Sequence, residues 1–286
     1  MNSYKKDKNE EAIKELKAIF KKYKIYPKKR YSQSFLINPI LIEWHLKFAD
    51  LNSDDFVLEI GAGIGILTLS LVQKVKKVIA IEIDKTLIKV LKNRLASYKN
   101  VELIQSDILE IDKSLFKDKK VISNPPYNIS SPLLFKLFKT KYKMAILTLQ
   151  KEFAERLIAK PNSKAYGRIS VNSYLYADIE LLKIVPNTFF YPTPKVDSAL
   201  VKILPKSNNT QILNVKFYNE LVITLFSQKN KVLEKVLKGF LKKRINESKI
   251  QKIISNISCS RNRIRELTPE QIVELSNRLY QKLSRT

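Results

Sequence analysis

Cysteine and histidine are almost absent: the 286 residues hold one of each, Cys259 and His45. A lone thiol excludes an intramolecular disulfide, and one imidazole beside it leaves too few soft ligands for a zinc site. A reducing compartment without structural metal is expected. No uninterrupted apolar run reaches the roughly 18 residues that a membrane span requires, so the chain is expected to be cytoplasmic, without membrane contact and, by default, monomeric. The first 26 residues lack an apolar core and carry Asp7, Glu10, Glu11 and Glu15 among their lysines, unlike a secretion signal or an acid-poor transit peptide. No targeting segment is expected. Acidic residues are scarce too, 27 Asp+Glu against 53 Lys+Arg, for a formal charge of +26. That excess goes beyond what solubility needs and points to a polyanionic partner, nucleic acid first.

What is present builds a globular chain. Hydrophobic residues make up 44%, enough for a buried core and too many for a disordered protein. Residues 1–27 read as a basic amphipathic extension. Ala12, Ile13, Leu16, Ile19, Phe20 and Tyr23 recur at three- and four-residue spacing, a helix that either packs on the main body or frays. Downstream, the apolar runs Phe56–Ile60, Val78–Ile83, Val101–Gln105, Val121–Ser123 and Met144–Gln150 alternate with helix-length segments. This predicts an α/β, doubly wound, mostly parallel sheet covered on both faces. Ile179–Val185 and Ala199–Leu204, around the turn-rich Pro186–Lys195, are expected to complete it as an antiparallel pair. Linker composition over Pro205–Gln211 separates a domain at 28–205 from a small all-α domain at 206–286. Helices are expected there near 215–228, 231–244, 248–256 and 269–283, the last capped by Thr268 before Pro269. From Lys206 onward there are 17 Lys+Arg against 6 Glu.

The chemistry lies at the ends of the predicted strands. Glu59-Ile-Gly61-Ala-Gly63-Ile-Gly65 follows a strand and opens a helix, so its glycines can bring backbone amides close to a ligand. Position 66 is Ile, so the spacing is GxGxG rather than the dinucleotide GxGxxG; a ligand without pyrophosphate fits better, and Glu59 suits a cation. A plain strand–helix turn is the alternative. Glu82, next to Ile83, ends the second strand, where a carboxylate accepts hydrogen bonds from both ribose hydroxyls. Asp107 ends the third, placed to accept from an adenine amino group while Ile108 covers the ring. Either acid alone reads as a helix cap; together they describe an adenosyl pocket. Asn124-Pro125-Pro126-Tyr127 follows the fourth strand. The Asn124 side-chain oxygen and the Pro125 carbonyl then present two acceptors to one point, which localises the lone pair of a ring-conjugated amino group, and Tyr127 offers a face for stacking its base.

With these motifs in place, the chain resembles the ribosomal small-subunit RNA adenine dimethyltransferases, within the class I S-adenosylmethionine-dependent methyltransferases, over roughly residues 28–286. The resemblance extends to Gln33-Ser-Phe-Leu36, Leu149-Gln-Lys-Glu152 with Arg156, Pro161-Asn-Ser-Lys-Ala-Tyr-Gly-Arg168 and Phe190-Tyr-Pro-Thr-Pro-Lys-Val-Asp-Ser198. It implies a Rossmann-like catalytic domain and an RNA-docking helical domain. The activity implied is transfer of methyl groups from S-adenosyl-L-methionine, without metal and with S-adenosylhomocysteine as product. The acceptors implied are the 6-amino nitrogens of two adjacent adenines near the 3′ end of small-subunit rRNA, within an immature ribosomal subunit. By the same resemblance Gln33, Ser34, Leu36, Gly61, Glu82, Asp107 and Asn124 line the donor site, and Phe190 flanks the target base opposite Tyr127.

Two departures stand out: Pro126 where the family usually has leucine, and Ser32 and Ser34 where glycine and asparagine or histidine are common. Asn-Pro-Pro-Tyr also occurs in DNA adenine and protein glutamine methyltransferases, which leaves a DNA adenine methyltransferase as an alternative. A non-catalytic ribosome-assembly or transcription factor of the same fold is another. Trp44 and His45 read as core or edge packing. Arg261, Arg263 and Arg265 read as a solvated face or phosphate contacts.

Overall fold

The computed structural model describes residues 2–28, 33–206 and 212–284. Apolar runs with no polar alternation need cover on both faces, and helices alternating with strands supply it. Helix α1 (Asn2–Tyr23) precedes the two-residue strand β1 (Phe35–Leu36) and α2 (Pro39–Ala49). Then come β2 (Phe56–Ile60), α3 (Ile66–Leu71), β3 (Lys77–Glu82), α4 (Lys85–Arg94), β4 (Val101–Gln105), β5 (Lys120–Ser123), α5 (Ser130–Leu137) and β6 (Met144–Gln150). They are followed by α6 (Lys151–Leu157), α7 (Arg168–Tyr176), β7 (Ala177–Val185), β8 (Phe190–Tyr191) and β9 (Ser198–Pro205). Helices α8 (Val215–Phe226), α9 (Leu233–Leu241), α10 (Glu247–Ser255) and α11 (Pro269–Ser284) close the chain.

Seven strands form one sheet in the order β4-β3-β2-β5-β6-β9-β7. The first five are parallel and β9 runs antiparallel to β6. Strand order reverses direction at β2, with β3 and β4 on one side and β5 and β6 on the other. The carboxyl ends of β2 and β5 therefore flank the topological switch point where open α/β sheets bind ligands. A second ladder, not foreseen in the turn-rich segment, pairs β1 with β8 antiparallel, Phe35 opposite Tyr191 and Leu36 opposite Phe190.

The chain divides into two compact units, one made of residues up to Ala154 with Ile179–Pro205, the other of Glu155–Asp178 with residues from Lys206 on. This corrects the single boundary expected at 205: α7 and the Pro161–Arg168 motif belong with the helices. The cause is apolar packing, since Tyr166, Val171 and Leu175 are buried in one core with Tyr218, Leu225, Leu237 and Ile272. The Tyr166 hydroxyl also donates to the Leu267 carbonyl at 2.8 Å, and Asn162 N–H to the Arg265 carbonyl at 2.7 Å. Of the expected linker, residues 207–211 lie outside the described residues, as does Ser32. In the helical unit Thr268 and Gln271 cap α11 reciprocally. Arg263 is engaged within the same unit, donating to the Asn230 carbonyl at 2.6 Å.

His45 is fully buried, its ring nitrogens meeting the Leu41 carbonyl at 2.8 Å and the Thr148 hydroxyl at 3.1 Å. Burial holds its pKa down at about 4, so the ring is neutral at pH 7. Trp44 packs near Phe189. Among the described residues no helix is long and apolar enough to cross a membrane, and no cluster of three or more His, Cys, Asp or Glu side chains is placed to hold a metal.

Between its two alternatives, the N-terminal helix packs. Leu16 and Phe20 are buried against Phe35, Ile37, Ile64, Leu87 and Val90, the Phe20 and Phe35 rings lie 5.0 Å apart edge to face, and Glu15 pairs with Arg94 at 3.2 Å. Leu16→Ala should therefore cost about 2–5 kcal/mol of unfolding free energy, whereas Lys14→Ala on the exposed side should stay within about 0.5 kcal/mol. Urea denaturation of the full chain measures both, and a neutral Leu16→Ala would mean that the helix is not docked in solution.

Candidate active site

The glycine loop after β2 can exist only because three residues adopt positive φ, Gly61 at 72°, Gly63 at 62° and Gly65 at 85°. At Gly65 a Cβ would also lie 2.9 Å from a Leu91 methyl. Its amides are turned inward: Gly61 and Ala62 donate to the Ile81 carbonyl at 2.8 and 3.1 Å, and Gly63 donates to Glu82 Oε2 at 2.9 Å. This corrects the expectation that the glycines present backbone donors to a ligand. Their role is to fold the loop tightly against β3 and leave open space above it, which also explains why no pyrophosphate cradle is built here.

Glu82 is the anchor. Its second oxygen accepts from Asp84 N–H at 2.9 Å, and each carboxylate oxygen keeps a lone pair for a ribose hydroxyl. Burial raises its pKa, opposed by the Asp84 and Gly63 amides. Asp84 caps α4 through Thr86 N–H at 2.9 Å and pairs with Lys28 at 2.7 Å. Burial alone would raise the Asp84 pKa, but Lys28, Thr86 and Gln33 hold it below the ordinary carboxylate value.

Two cavities of about 770 and 690 Å³ lie at this carboxyl edge and share Gly61, Glu82, Ile83 and Pro126. One is lined by Gln33, Ser34, Leu36, Glu59, Gly63, Asn124, Pro125 and Tyr127. Asp107 and Ile108 line the other. Every residue assigned to the donor lines one or other of these two adjoining cavities. Asp107 Oδ1 accepts from Leu109 N–H at 2.8 Å, leaving its other oxygen for a ligand amino group. Lys136 on α5 donates to the carbonyls of Leu109, at 2.8 Å, and Ile111, clasping the turn that carries Asp107; nothing in its sequence context marks it. Pro126 packs on the glycine loop, its Cδ 3.3 Å from where a Gly61 Cβ would stand.

Three expected residues take a different part. Gln33 lines the wall, but its amide ties the lip down, accepting from Lys28 N–H at 2.9 Å and donating to Asp84 at 3.3 Å. The Ser34 hydroxyl turns away to donate to the Pro192 carbonyl at 2.6 Å. Phe190, expected as the second face around a target base, is 1% exposed and belongs to the core that holds Leu36, Ile122 and Leu200. Pairing with Leu36 draws it inward, so it presents no open face. Tyr127 keeps its place, half-buried in the cavity wall.

Glu59 is fully buried with Oε2 unpaired, and burial pushes its pKa up to about 8, the charge of Glu82 adding to the effect. Because the folded value lies above the ordinary 4.5, the stability this group contributes is complete below 4.5 and lost as pH rises through about 8. Glu59→Gln keeps the shape without the titration, so its stability relative to the parent should rise by about 2–4 kcal/mol between pH 6 and pH 9. Urea midpoints across that range test this; a constant difference would mean that Glu59 is hydrated.

Residues 26–281 match the ribosomal RNA adenine dimethylase family. Among relatives, the probable ribosomal RNA small subunit methyltransferase A of Methanosarcina acetivorans is 37% identical, the match covering 94% of this chain and 100% of that protein. Its namesake from Pyrococcus abyssi is 38% identical, over 91% of this chain and 95% of the other. The crystal structure of a dimethyladenosine transferase from Plasmodium falciparum superposes with a TM-score of 0.76 at 30% identity, covering 87% of this chain and 98% of that one. With the fold, the glycine loop, both strand-end acids and the Asn124–Tyr127 motif in their places, the chain belongs to the ribosomal RNA adenine dimethylase family.

Proposed function

We propose that the paired cavities hold S-adenosyl-L-methionine, the adenine against Asp107 and Ile108, the ribose at Glu82 and the amino-acid end towards Glu59. An adenine of small-subunit rRNA would present its 6-amino nitrogen at Asn124. The observation that carries this reading is Asn124 Oδ1, buried and without a hydrogen-bond partner, while the amide end of the same side chain points to the Ser34 carbonyl at 3.5 Å. A buried acceptor left open at such a cost marks the place of a missing donor, here an amino group. The bound donor supplies a methyl group on a positively charged sulfur. The nitrogen–carbon bond forms as the carbon–sulfur bond breaks, the electron pair stays with sulfur to give S-adenosylhomocysteine, and the amine proton leaves to water. Asn124 and Pro125 orient the nitrogen and Tyr127 holds the ring; repetition gives the dimethylated base at each of two adjacent adenines near the 3′ end. The setting proposed is a cytoplasmic monomer acting on an immature small subunit.

The deciding experiment is mass spectrometry of small-subunit RNA after incubation of immature subunits with protein and donor, with duplex DNA in parallel. Dimethyladenosine in RNA alone is expected; methylation of DNA alone would favour the DNA reading, and donor binding without transfer the non-catalytic one. Glu82→Ala and Asp107→Ala should each weaken donor binding by about 1–3 kcal/mol in calorimetry; unchanged affinity in both would empty the adenosyl pocket of its meaning. Pro126→Leu should retain single-turnover dimethylation within about tenfold, roughly 1.4 kcal/mol of barrier, while Asn124→Ala loses far more. If Pro126→Leu alone abolished activity, position 126 would belong to substrate selection.

For the helical unit we propose RNA docking through the groove of about 1160 Å³ between α8 and α9, where Lys231, Lys235 and Lys243 stand around Ile223 and Phe240 while Arg244 pairs with Glu220 at 2.9 Å. Because Tyr166 and α7 share this unit's core, charge substitution tests it better than deletion. Lys231→Glu with Lys235→Glu should flatten the dependence of subunit affinity on salt, by about 0.7–0.9 in log–log slope for each phosphate that is no longer neutralised. An unchanged slope would move the docking surface elsewhere.

A further inference from the structure

The segment ending in Ser198 carries a motif of the sequence whose last residue has no role in the reading above. Ser198 opens β9 and has no solvent exposure. Its hydroxyl lies within hydrogen-bond distance of the Tyr127 hydroxyl, 71 residues away in sequence. We propose that Ser198 is a positioning residue for the target base, setting the ring face of Tyr127 through this hydroxyl pair; the inference rests on Tyr127 being the stacking face.

Tyr127 starts a single 3₁₀ turn, Tyr127–Ile129, directly after two prolines, so no sheet ladder fixes its backbone. A hydrogen bond at the far end of the ring restricts rotation about Cα–Cβ. Ser198, by contrast, cannot move: it stands in register with Gln150 on the neighbouring strand. The residue before it is fixed too, the Asp197 carbonyl accepting from Lys151 N–H at 3.0 Å and the Asp197 carboxylate from Asn187 N–H at 3.0 Å. The same segment holds the opposite wall, through the Ser34–Pro192 hydrogen bond and the Phe35–Tyr191 pairing. The donor lip and the stacking ring are thus referenced to one stretch of chain, the rigid support that a reaction limited by alignment requires.

A double-mutant cycle on the full chain tests this: wild type, Ser198→Ala, Tyr127→Phe and the double variant, each saturated with donor and given immature subunits. Each single variant should lower the single-turnover methylation rate about tenfold, and the double should fall by about the same tenfold, because both remove one shared bond. Donor affinity should stay within twofold throughout, which a general loss of structure would not allow. A rate within twofold of wild type for Ser198→Ala, or effects that multiply to about a hundredfold in the double, would overturn the proposal. Binding of a short adenine-containing RNA to the S-adenosylhomocysteine complex of the same four proteins runs the cycle without chemistry. If the wild type failed to methylate, that would count against the functional reading alone, and the binding cycle would still decide for or against Ser198.

Discussion

The buried carboxylate of Glu82 is the interaction from which the rest of the site follows. One oxygen holds the glycine loop through Gly63 and the other holds the start of α4 through Asp84, so two elements that would otherwise be independent are locked to the end of one strand. A carboxylate placed in so dry a position is tolerable only when backbone amides satisfy it. The Gly63 amide in turn is available only because the loop runs through left-handed glycine conformations that a side chain would strain. The opening of the cavity beside Glu82 and the line of the Lys28–Gln33–Asp84 clasp are consequences of that arrangement.

A second dependence runs through the two-stranded ladder. Phe35 and Leu36 come before the first strand of the large sheet and Phe190 and Tyr191 near the end of the same unit, yet they pair directly. This ladder sets the lip of the cavity that Ser34 and Asn124 line and pairs Phe190 with Leu36, while the large sheet holds Ser198, a few residues on, with its hydroxyl at that of Tyr127. The walls that carry Ser34 and Tyr127 thereby share a support, the rigidity that the proposed methyl transfer, limited by alignment, would need.

The excess of positive charge is divided in kind. In the catalytic unit some lysines are structural: Lys120 pairs with Asp55 at 2.8 Å and Lys136 holds two carbonyls of the Asp107 turn. In the helical unit Lys231, Lys235 and Lys243 border an open groove beside Ile223 and Val236, the surface proposed above for RNA.

The parallel strands and their helical cover, the glycine loop, both strand-end acids and the Asn124–Tyr127 motif were legible in the amino-acid sequence, because each depends on local rules: apolar runs of strand length, glycine where φ must be positive, an acid where a strand ends, proline where a donor must be removed. Other features became visible only in three dimensions. The membership of residues 155–178 in the helical unit rests on Tyr166, Val171 and Leu175 finding partners beyond residue 217, and no local pattern encodes which of two apolar cores a helix joins. The burial of Phe190, the turning away of the Ser34 hydroxyl, the Lys136 clasp and the Ser198–Tyr127 pair likewise join residues that stand from 25 to 158 positions apart. Residue type announces that a group can bond; only the packed fold decides with what, because the partner is brought by the closing of the sheet and not by the neighbouring chain.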